Sequence, residues 1–185
     1  MIVKLANVRL AFPALFEAQT VNGEGDPRFS AVFLIPKDSP LLKTLAEAVR
    51  EVATAKWDEK AADAVKKMSA LDKICLRDGD NKAEYDGFEG MHYLSASNKA
   101  RPLVVDADKT PLVQADGRPY AGCYVNASVE LWAQDNNYGK RINAQLRGIQ
   151  FVRHGDAFGG GGGRAASEDE FDDISAGAEA TADLW

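Results

Sequence analysis

The sequence predicts a mostly antiparallel β domain, a barrel or a sandwich, with one helical insertion. Three observations support this fold class. Strand-like segments lie on both sides of a single stretch with helical periodicity, at about 38–70. The strands that follow this stretch are not separated by crossover helices, which a parallel sheet would need. Apolar and polar residues alternate in the last two long strands, as they do in a sheet with one buried face.

The chain is predicted to begin with two strands joined by a polar connection. Residues 2–12 and 28–36 have the composition and alternation of strands, and in the second strand both faces are fairly apolar. Between them, Asn22-Gly23 and Gly25-Asp26-Pro27 are typical of turns, because Gly, Asn and Pro favour turn geometry.

Two helices are predicted next. Ser39 can cap a helix that has Pro40 at its first position, and apolar residues recur at helical spacing up to position 52. A second helix is predicted at about 59–68, and a glycine-containing loop at 77–90. The later strands are predicted at 92–97, 103–105, about 120–135 and 140–153.

The charge of the chain is divided unevenly. The formal net charge of −6 comes from 22 Lys and Arg residues and 28 Asp and Glu residues. Residues 164–185 hold seven acids and one base, Arg164, so residues 1–163 are balanced. We therefore predict a folded domain at 1–158, a glycine hinge at 159–163 and a flexible acidic tail beyond it. Consecutive glycines offer no side chain to pack, and an acidic segment with few apolar residues cannot build a core.

Several function classes lack their sequence signals. No apolar run approaches the roughly 20 residues of a membrane span, and the N-terminus does not resemble a signal peptide. Cys75 and Cys123 have neither metal-site nor redox spacing, and His92 and His154 lack a partner at zinc spacing. Residues 78–82 resemble a calcium loop that lacks its glycine. We predict a cytoplasmic protein that is not an enzyme and needs no metal or cofactor.

The last two strands are predicted to form a hairpin with a definite register. A four-residue loop pairs Asp135 with Lys140 and brings Leu131 opposite Ala144 on the apolar face. On the polar face the same register gives three pairs: Trp132 with Asn143, Gln134 with Arg141, and Ser128 with Arg147. After Arg147 the apolar residues change from even-numbered to odd-numbered positions, Ile149 and Phe151. This change in the alternation predicts a bulge or bend at Gly148.

The polar face of this hairpin is a candidate binding surface for single-stranded nucleic acid. Aromatic rings can stack on bases while Arg and Lys neutralise phosphates. Candidates for stacking are Tyr93, Tyr124, Trp132 and Tyr138, and candidates for phosphate contacts are Lys99, Arg101, Lys140, Arg141 and Arg147. The same residues also fit a second interpretation, in which the rings pack under the helical insertion and the arginines pair with nearby acids.

The acidic tail is predicted to bind a partner protein. It ends in Asp183, Leu184 and Trp185, and Phe171, Asp172 and Asp173 form a second apolar and acidic motif within it. A terminal indole can enter an apolar pocket while basic residues around that pocket hold the acids. The tail could also lie on the basic face and compete with nucleic acid. The alternative is a tail that only increases solubility.

Several segments resemble the single-stranded-DNA-binding proteins of tailed phages. The similarity spans about 1–160 and is densest at 90–102 and 120–160. It includes the segments Gly122–Asn126, Trp132–Asn136, Tyr138–Ala144 and Phe158–Gly160.

The resemblance implies a five-stranded OB-fold barrel that coats single-stranded DNA during phage replication and recombination. It also implies an acidic tail that recruits replication or recombination proteins, and a location in the host cell cytoplasm. We expect a monomer or a small homo-oligomer. The alternative is a protein-interaction or assembly protein that uses the hairpin face and Trp185 to bind other proteins.

Overall fold

The computed structural model describes residues 1–21 and 23–159. Within them, the chain forms seven strands and two α-helices. They are β1 (Ile2–Val21), β2 (Glu24–Pro36), α1 (Leu41–Trp57), α2 (Ala61–Ala70), β3 (Leu76–Asp78), β4 (Met91–Asn98), β5 (Leu103–Val105), β6 (Tyr124–Asn136) and β7 (Gly139–Arg153). The predicted tail at 164–185 and all but the first residue of the predicted glycine hinge lie outside the described residues.

Five of the strands form a closed barrel. Their order is β4-β2-β1-β6-β7, with antiparallel neighbours throughout. The barrel closes where β7 returns to β4 in a parallel pairing of Ser97 with Gln145. The predicted OB-fold-like barrel with a helical insertion is therefore confirmed, although its closing pair is parallel.

A short segment before β3 completes the closure on one side. The backbone N–H of Cys75 donates to the carbonyl of Ile142 at 2.9 Å, and the carbonyl of Cys75 accepts from the N–H of Ser95 at 3.0 Å. Residue 75 thus bridges β7 and β4 where these strands do not pair directly. The loop predicted at 77–90 therefore begins too early, because β3 pairs with β4. Three residues are too few to show a strand periodicity.

The first hairpin is longer than predicted. β1 continues beyond residue 12 to Val21, and Asn7 and Phe12 within it have positive φ angles of 51° and 45°. These bulges break the alternation that marks a strand in the sequence. The predicted turn at 25–27 instead belongs to β2. Pro27 is tolerated there because β2 pairs with β4 only from Phe29 onward, so one edge of the strand faces solvent.

The helical insertion shares the core of the barrel. Leu45, Ala53 and Trp57 of α1 and Met68 of α2 are buried in the same cluster as the barrel interior. Full burial of Leu45 contributes about 2 kcal/mol to the free energy of unfolding. Helix α1 begins one residue after Pro40, and the Ser39 hydroxyl accepts a hydrogen bond from the Leu41 N–H at 3.3 Å. No helix among the described residues is long and apolar enough to cross a membrane.

The β6–β7 hairpin has the predicted register over most of its length. Asp135 pairs with Lys140, and Trp132 pairs with Asn143. Ser128 is the exception, since it lies opposite Gly148 and not opposite Arg147. The predicted bulge explains the difference, because Arg147 is the extra residue that β7 carries there.

Candidate nucleic-acid interface

An open groove crosses the barrel where β4 approaches β7. Its volume is about 1010 Å³. Ser30 and Val32 of β2 and Ser95 and Ser97 of β4 line one side of the groove, because alternate residues of a strand share a face. The β6–β7 hairpin lines the other side with Trp132, Gln134, Arg141, Asn143 and the tip residue Tyr138. The hairpin side of the groove therefore carries its aromatic rings, and the serines of β2 and β4 line the opposite side.

Two aromatic rings of the groove are open to solvent. Trp132 is 44% exposed, and Tyr138, at the tip of the hairpin, is 84% exposed. The amide of Asn143 lies across the strand from Trp132 and donates to the amide oxygen of Gln134 at 3.0 Å, which orders the surface beside the indole. Each ring has a face on which a flat aromatic group can stack.

The groove has an excess of positive charge. Its lining contains four cations, Arg28, Arg77, Lys99 and Arg141, and one carboxylate, Glu130. A concave surface with one sign of charge attracts anions of the opposite sign, and guanidinium groups match phosphate geometry. The arrangement therefore favours a polyanion.

Two of these cations have hydrogen-bond partners within the protein. The Arg77 guanidinium donates through Nε to the carbonyl of Ile74 at 2.8 Å. The Lys99 ammonium donates to the carboxylate of Asp26 on the first hairpin at 2.8 Å. This hydrogen bond and the charge of Lys99 lower the pKa of Asp26 below its ordinary value of 3.8, and Arg28 adds a smaller effect. Asp26 therefore stays ionised at neutral pH and offers Lys99 a local partner.

The structure brings four of the nine predicted binding residues together in the groove: Lys99, Trp132, Tyr138 and Arg141. It places the other five elsewhere: Tyr93, Arg101, Tyr124, Lys140 and Arg147. On the polar face of the hairpin, the predicted residues near the tip therefore line the groove, and those at the other end do not.

Two predicted stacking rings are covered by neighbours. Tyr93 lies on the outer face of β4 but is only 6% exposed, because the loop after β3 covers it with the ring of Phe88 at 5.3 Å. Tyr124 lies eight residues before Trp132, about 26 Å along the strand. The guanidinium of Arg153 sits 3.6 Å from the centroid of the Tyr124 ring. Tyr93 is therefore too buried to stack on a base, and Arg153 occupies one face of the Tyr124 ring.

The remaining three cations do not line the groove. Arg101 lies 5.7 Å from the ring centroid of Phe16 on the first hairpin. Lys140 points to the opposite side of β7 from Arg141, and its ammonium lies 5.3 Å from the Trp57 ring centroid. Arg147 is exposed at the bulge.

Sequence reasoning missed two cations of the groove. Arg28 could have been found, since it shares the outer face of β2 with Ser30 and Val32 at two-residue spacing. Arg77 gave no signal, because it lies in a strand of three residues within a predicted loop.

An exposed aromatic pair lies beside the groove. Phe12 sits in a β1 bulge between the residues that pair with Val32 and Ser30, and it is 54% exposed. Its ring meets that of Tyr85 edge to face, with 5.1 Å between the centroids. A bulky residue with positive φ is uncommon, and its alternation signal is lost at the bulge. This exposed pair is therefore an aromatic feature that the sequence pattern did not indicate.

The groove lies over β2 and β4, the second and third strands of the barrel along the chain, and over the β6–β7 hairpin. A basic and aromatic groove in this position on a five-stranded barrel is typical of oligonucleotide-binding OB folds. The chain belongs to the family of the single-stranded-DNA-binding protein of Enterobacter phage Enc34, whose family model matches residues 1–183. It is 52% identical over 178 residues to protein p50 of Acyrthosiphon pisum secondary endosymbiont phage 1, and the match covers 95% of each chain.

Solved structures show the same fold. The single-stranded-DNA-binding protein of bacteriophage Enc34 in complex with single-stranded DNA is 27% identical, with a TM-score of 0.75, and the match covers 85% of this chain and 89% of that one. The single-stranded-DNA-binding protein gp2.5 of bacteriophage T7 is 14% identical, with a TM-score of 0.55 over 100% of this chain and 98% of that one. The second likeness concerns the fold alone.

Proposed function

We propose that this protein binds single-stranded DNA in the groove, without sequence preference and without catalysis, during phage DNA replication or recombination. The observation that carries the proposal is the joint position of two exposed rings and four cations in one open groove. The Enc34 protein, which has the same fold, was solved with single-stranded DNA bound, and this likeness supports the proposal.

The groove chemistry explains how binding would tolerate any sequence. Bases would stack on Trp132 and Tyr138, and such stacking contributes about 1–3 kcal/mol per base. Arg28, Arg77, Lys99 and Arg141 would hold the phosphates. Every base has an aromatic face, and every nucleotide carries the same phosphate, so neither contact selects a particular base.

The proposal also divides the chain into a binding domain, a hinge and an acidic tail. Residues 1–158 would form the binding domain, and residues 159–163 a hinge to the tail. Phe158 packs against the domain, and its N–H donates to the Ala121 carbonyl at 2.9 Å. The tail motifs would then recruit replication or recombination proteins in the host cell cytoplasm; they comprise Phe171, Asp172, Asp173, Asp183, Leu184 and Trp185.

Intrinsic fluorescence tests the binding proposal directly. A full-length Trp185→Phe variant retains Trp132 in the groove and the buried Trp57. We expect single-stranded oligo-dT to quench its fluorescence more strongly than a duplex of equal length does. The logarithm of affinity should fall with the logarithm of salt concentration by about 0.7 per phosphate contacted. An absence of quenching, together with no oligonucleotide shift in a gel, would favour the assembly-protein alternative.

A further inference from the structure

The helical insertion carries a second basic surface on the far side of the hairpin tip. Four lysines, Lys60, Lys67, Lys73 and Lys140, line a concavity of about 450 Å³ and are called the lysine patch below. Lys60 ends the turn before α2, Lys67 lies within α2, and Lys73 follows that helix. The patch is therefore built almost entirely by the insertion, and β7 adds only Lys140.

The positive charge of the lysine patch is largely uncompensated. Asp63 is the one carboxylate that lines the concavity. None of the ion pairs among the described residues involves a lysine of the patch. Four ammonium groups around one concavity repel each other, and an anion bound between them would relieve that repulsion.

The patch is fastened to the hairpin. The Lys73 carbonyl accepts a hydrogen bond from the Ile142 N–H at 3.1 Å. The Lys73 ammonium lies close to Gly139, since a Cβ atom added to that glycine would be 3.3 Å from the Lys73 Nζ. Trp57, beneath the Lys140 ammonium, donates through Nε1 to the Asp135 carboxylate at 2.8 Å. Lys73 and Lys140 are thus held at the tip of the hairpin that walls the groove.

Groove and patch meet at this tip. Arg141 lines the groove, and its neighbour Lys140 lines the patch from the other side of β7. Tyr138 lies at the turn between the two surfaces. A polyanion that leaves the groove past the Tyr138 ring meets the lysine patch next.

We propose that the lysine patch binds the phosphates of single-stranded DNA that extends beyond the groove, so that the helical insertion lengthens the binding site. This inference rests on the proposed function of the groove. The patch offers charge without an open ring, since Trp57 is buried. It therefore fits the sugar-phosphate backbone and not the bases.

The test compares two oligonucleotide lengths on full-length variants. Single OB folds cover about 4–16 nucleotides, so oligo-dT of about 4 nucleotides reports on the groove and oligo-dT of about 16 reports on groove and patch together. The test variant is Lys67→Gln/Lys73→Gln. The matched control is Lys4→Gln/Lys43→Gln, which removes two exposed lysines that line neither surface.

We expect the test variant to bind the long oligonucleotide more weakly than the parent protein does, with a salt slope reduced by about 0.7 for each phosphate that is no longer neutralised. Its affinity for the short oligonucleotide should stay within twofold, and the control should change neither. Equal binding of the long oligonucleotide by variant and parent would overturn the inference, and so would an equal loss for both lengths. Tighter binding of the long oligonucleotide would also overturn it and assign the patch to the acidic tail. Failure of the parent to bind either length would instead contradict the proposed function.

Loss of folding is checked separately. A Lys67→Glu variant, changed at an exposed helical position, alters the charge of the patch by as much as the double variant does, and it should show a loss of similar size for the long oligonucleotide at an unchanged melting temperature. If the loss appears only in variants with a lower melting temperature, the lysines act on stability and the inference fails.

Discussion

Lys99 and Asp26 form an ion pair of 2.8 Å at the edge of the groove, and both side chains are exposed. Lys99 follows β4 and lines the groove, whereas Asp26 lies in the first hairpin. In the proposed complex the Lys99 ammonium contacts a phosphate of the DNA. Because the same ammonium is paired with the Asp26 carboxylate in the free protein, DNA and Asp26 compete for Lys99.

Asp26→Asn should therefore tighten the binding of single-stranded DNA. An exposed ion pair contributes about 0–1 kcal/mol, so the gain should be no more than about fivefold and should be larger at low salt. Anisotropy titrations with labelled oligo-dT measure it. Glu47→Gln, on the exposed side of α1, is the matched control for charge. Weaker binding by Asp26→Asn would contradict the competition.

Trp132→Ala should weaken binding by about 1–3 kcal/mol, because the indole would no longer stack on a base. The fold should tolerate the change, since the side chain is 44% exposed and does not belong to the core. Oligo-dT titration together with urea unfolding separates the two effects. An affinity equal to that of the parent would show that the ring does not contact DNA.

Arg141 and Arg147 provide a matched pair on one strand. Arg141 lines the groove, while Arg147 is the exposed extra residue of the bulge. Arg141→Gln should weaken oligo-dT binding and lower the salt slope by about 0.7, since one phosphate fewer is neutralised. Arg147→Gln should change the slope much less. Equal losses in the two titrations would mean that the groove does not define the DNA path.

The parts of the site that could be predicted from sequence are those fixed by local pairing. Strand residues alternate between faces, and the predicted pairing of Asp135 with Lys140 is correct, so the sequence alone places Trp132 and Arg141 on one face of the hairpin. The connection itself is shorter than the four predicted residues, because Asn136 pairs with Gly139 and only two residues lie between the strands. Lys99 and Tyr138 follow from their positions near the strand ends. The change in the alternation of apolar residues predicts a bulge near Gly148. It does not predict that Arg147 becomes the extra residue of this bulge, so that Ser128 lies opposite Gly148.

The parts that could not be predicted depend on contacts between distant segments. Tyr93 has the alternation of an exposed residue, and only the folding of Phe88 over β4 buries it. The basic cluster at the hairpin tip is predicted as one surface, yet Lys140 lies over Trp57 of the insertion, on the opposite side of β7 from Arg141 in the groove. Local periodicity carries no information about which loop or helix packs on a given face.

Lys37→Met should make the stability of the protein less sensitive to acid. Lys37 pairs with both Asp78 and Asp80, close to the loop that covers Tyr93. The hydrogen bond from Lys37 lowers the pKa of Asp80 below its ordinary value of 3.8. For Asp78, the backbone N–H of Asp80 is the main cause of a lowered pKa, and Lys37 adds to it.

The sign of the effect follows from these directions. A carboxylate with a lowered pKa stabilises the fold above its unfolded pKa, and this contribution is lost as the pH falls through the folded value. Urea unfolding at pH 7 and near pH 3 should therefore show a smaller difference for Lys37→Met than for the parent. Lys43→Met, on the exposed side of α1, should behave as the parent does. An unchanged difference in Lys37→Met would show that this ion pair does not contribute to acid sensitivity.

Gly122→Ala should strongly destabilise the end of the fold. Gly122 has a φ of 105°, and a methyl group there would overlap the carbonyl of Asp156 and approach Ala157 to 2.9 Å. The segment that would be displaced is held on β1 by Arg9, which donates to the carbonyls of Gly122 at 3.0 Å and of Asp156 at 2.8 Å. We expect a loss of about 3 kcal/mol or more in the free energy of unfolding, since strain and a backbone clash act together.

Gly90→Ala is the control for conformational strain alone. Its φ is 74°, and an added methyl group would meet no atom within 4 Å, so the cost should be about 1 kcal/mol. Urea unfolding of both variants gives the comparison. Binding of short oligo-dT should persist in Gly122→Ala wherever the barrel remains folded, because Gly122 does not line the groove. Equal destabilisation by the two substitutions would mean that the segment around Asp156 can move away from β1 without a loss of unfolding free energy. The hydrogen bonds from Arg9 would then not stabilise the fold.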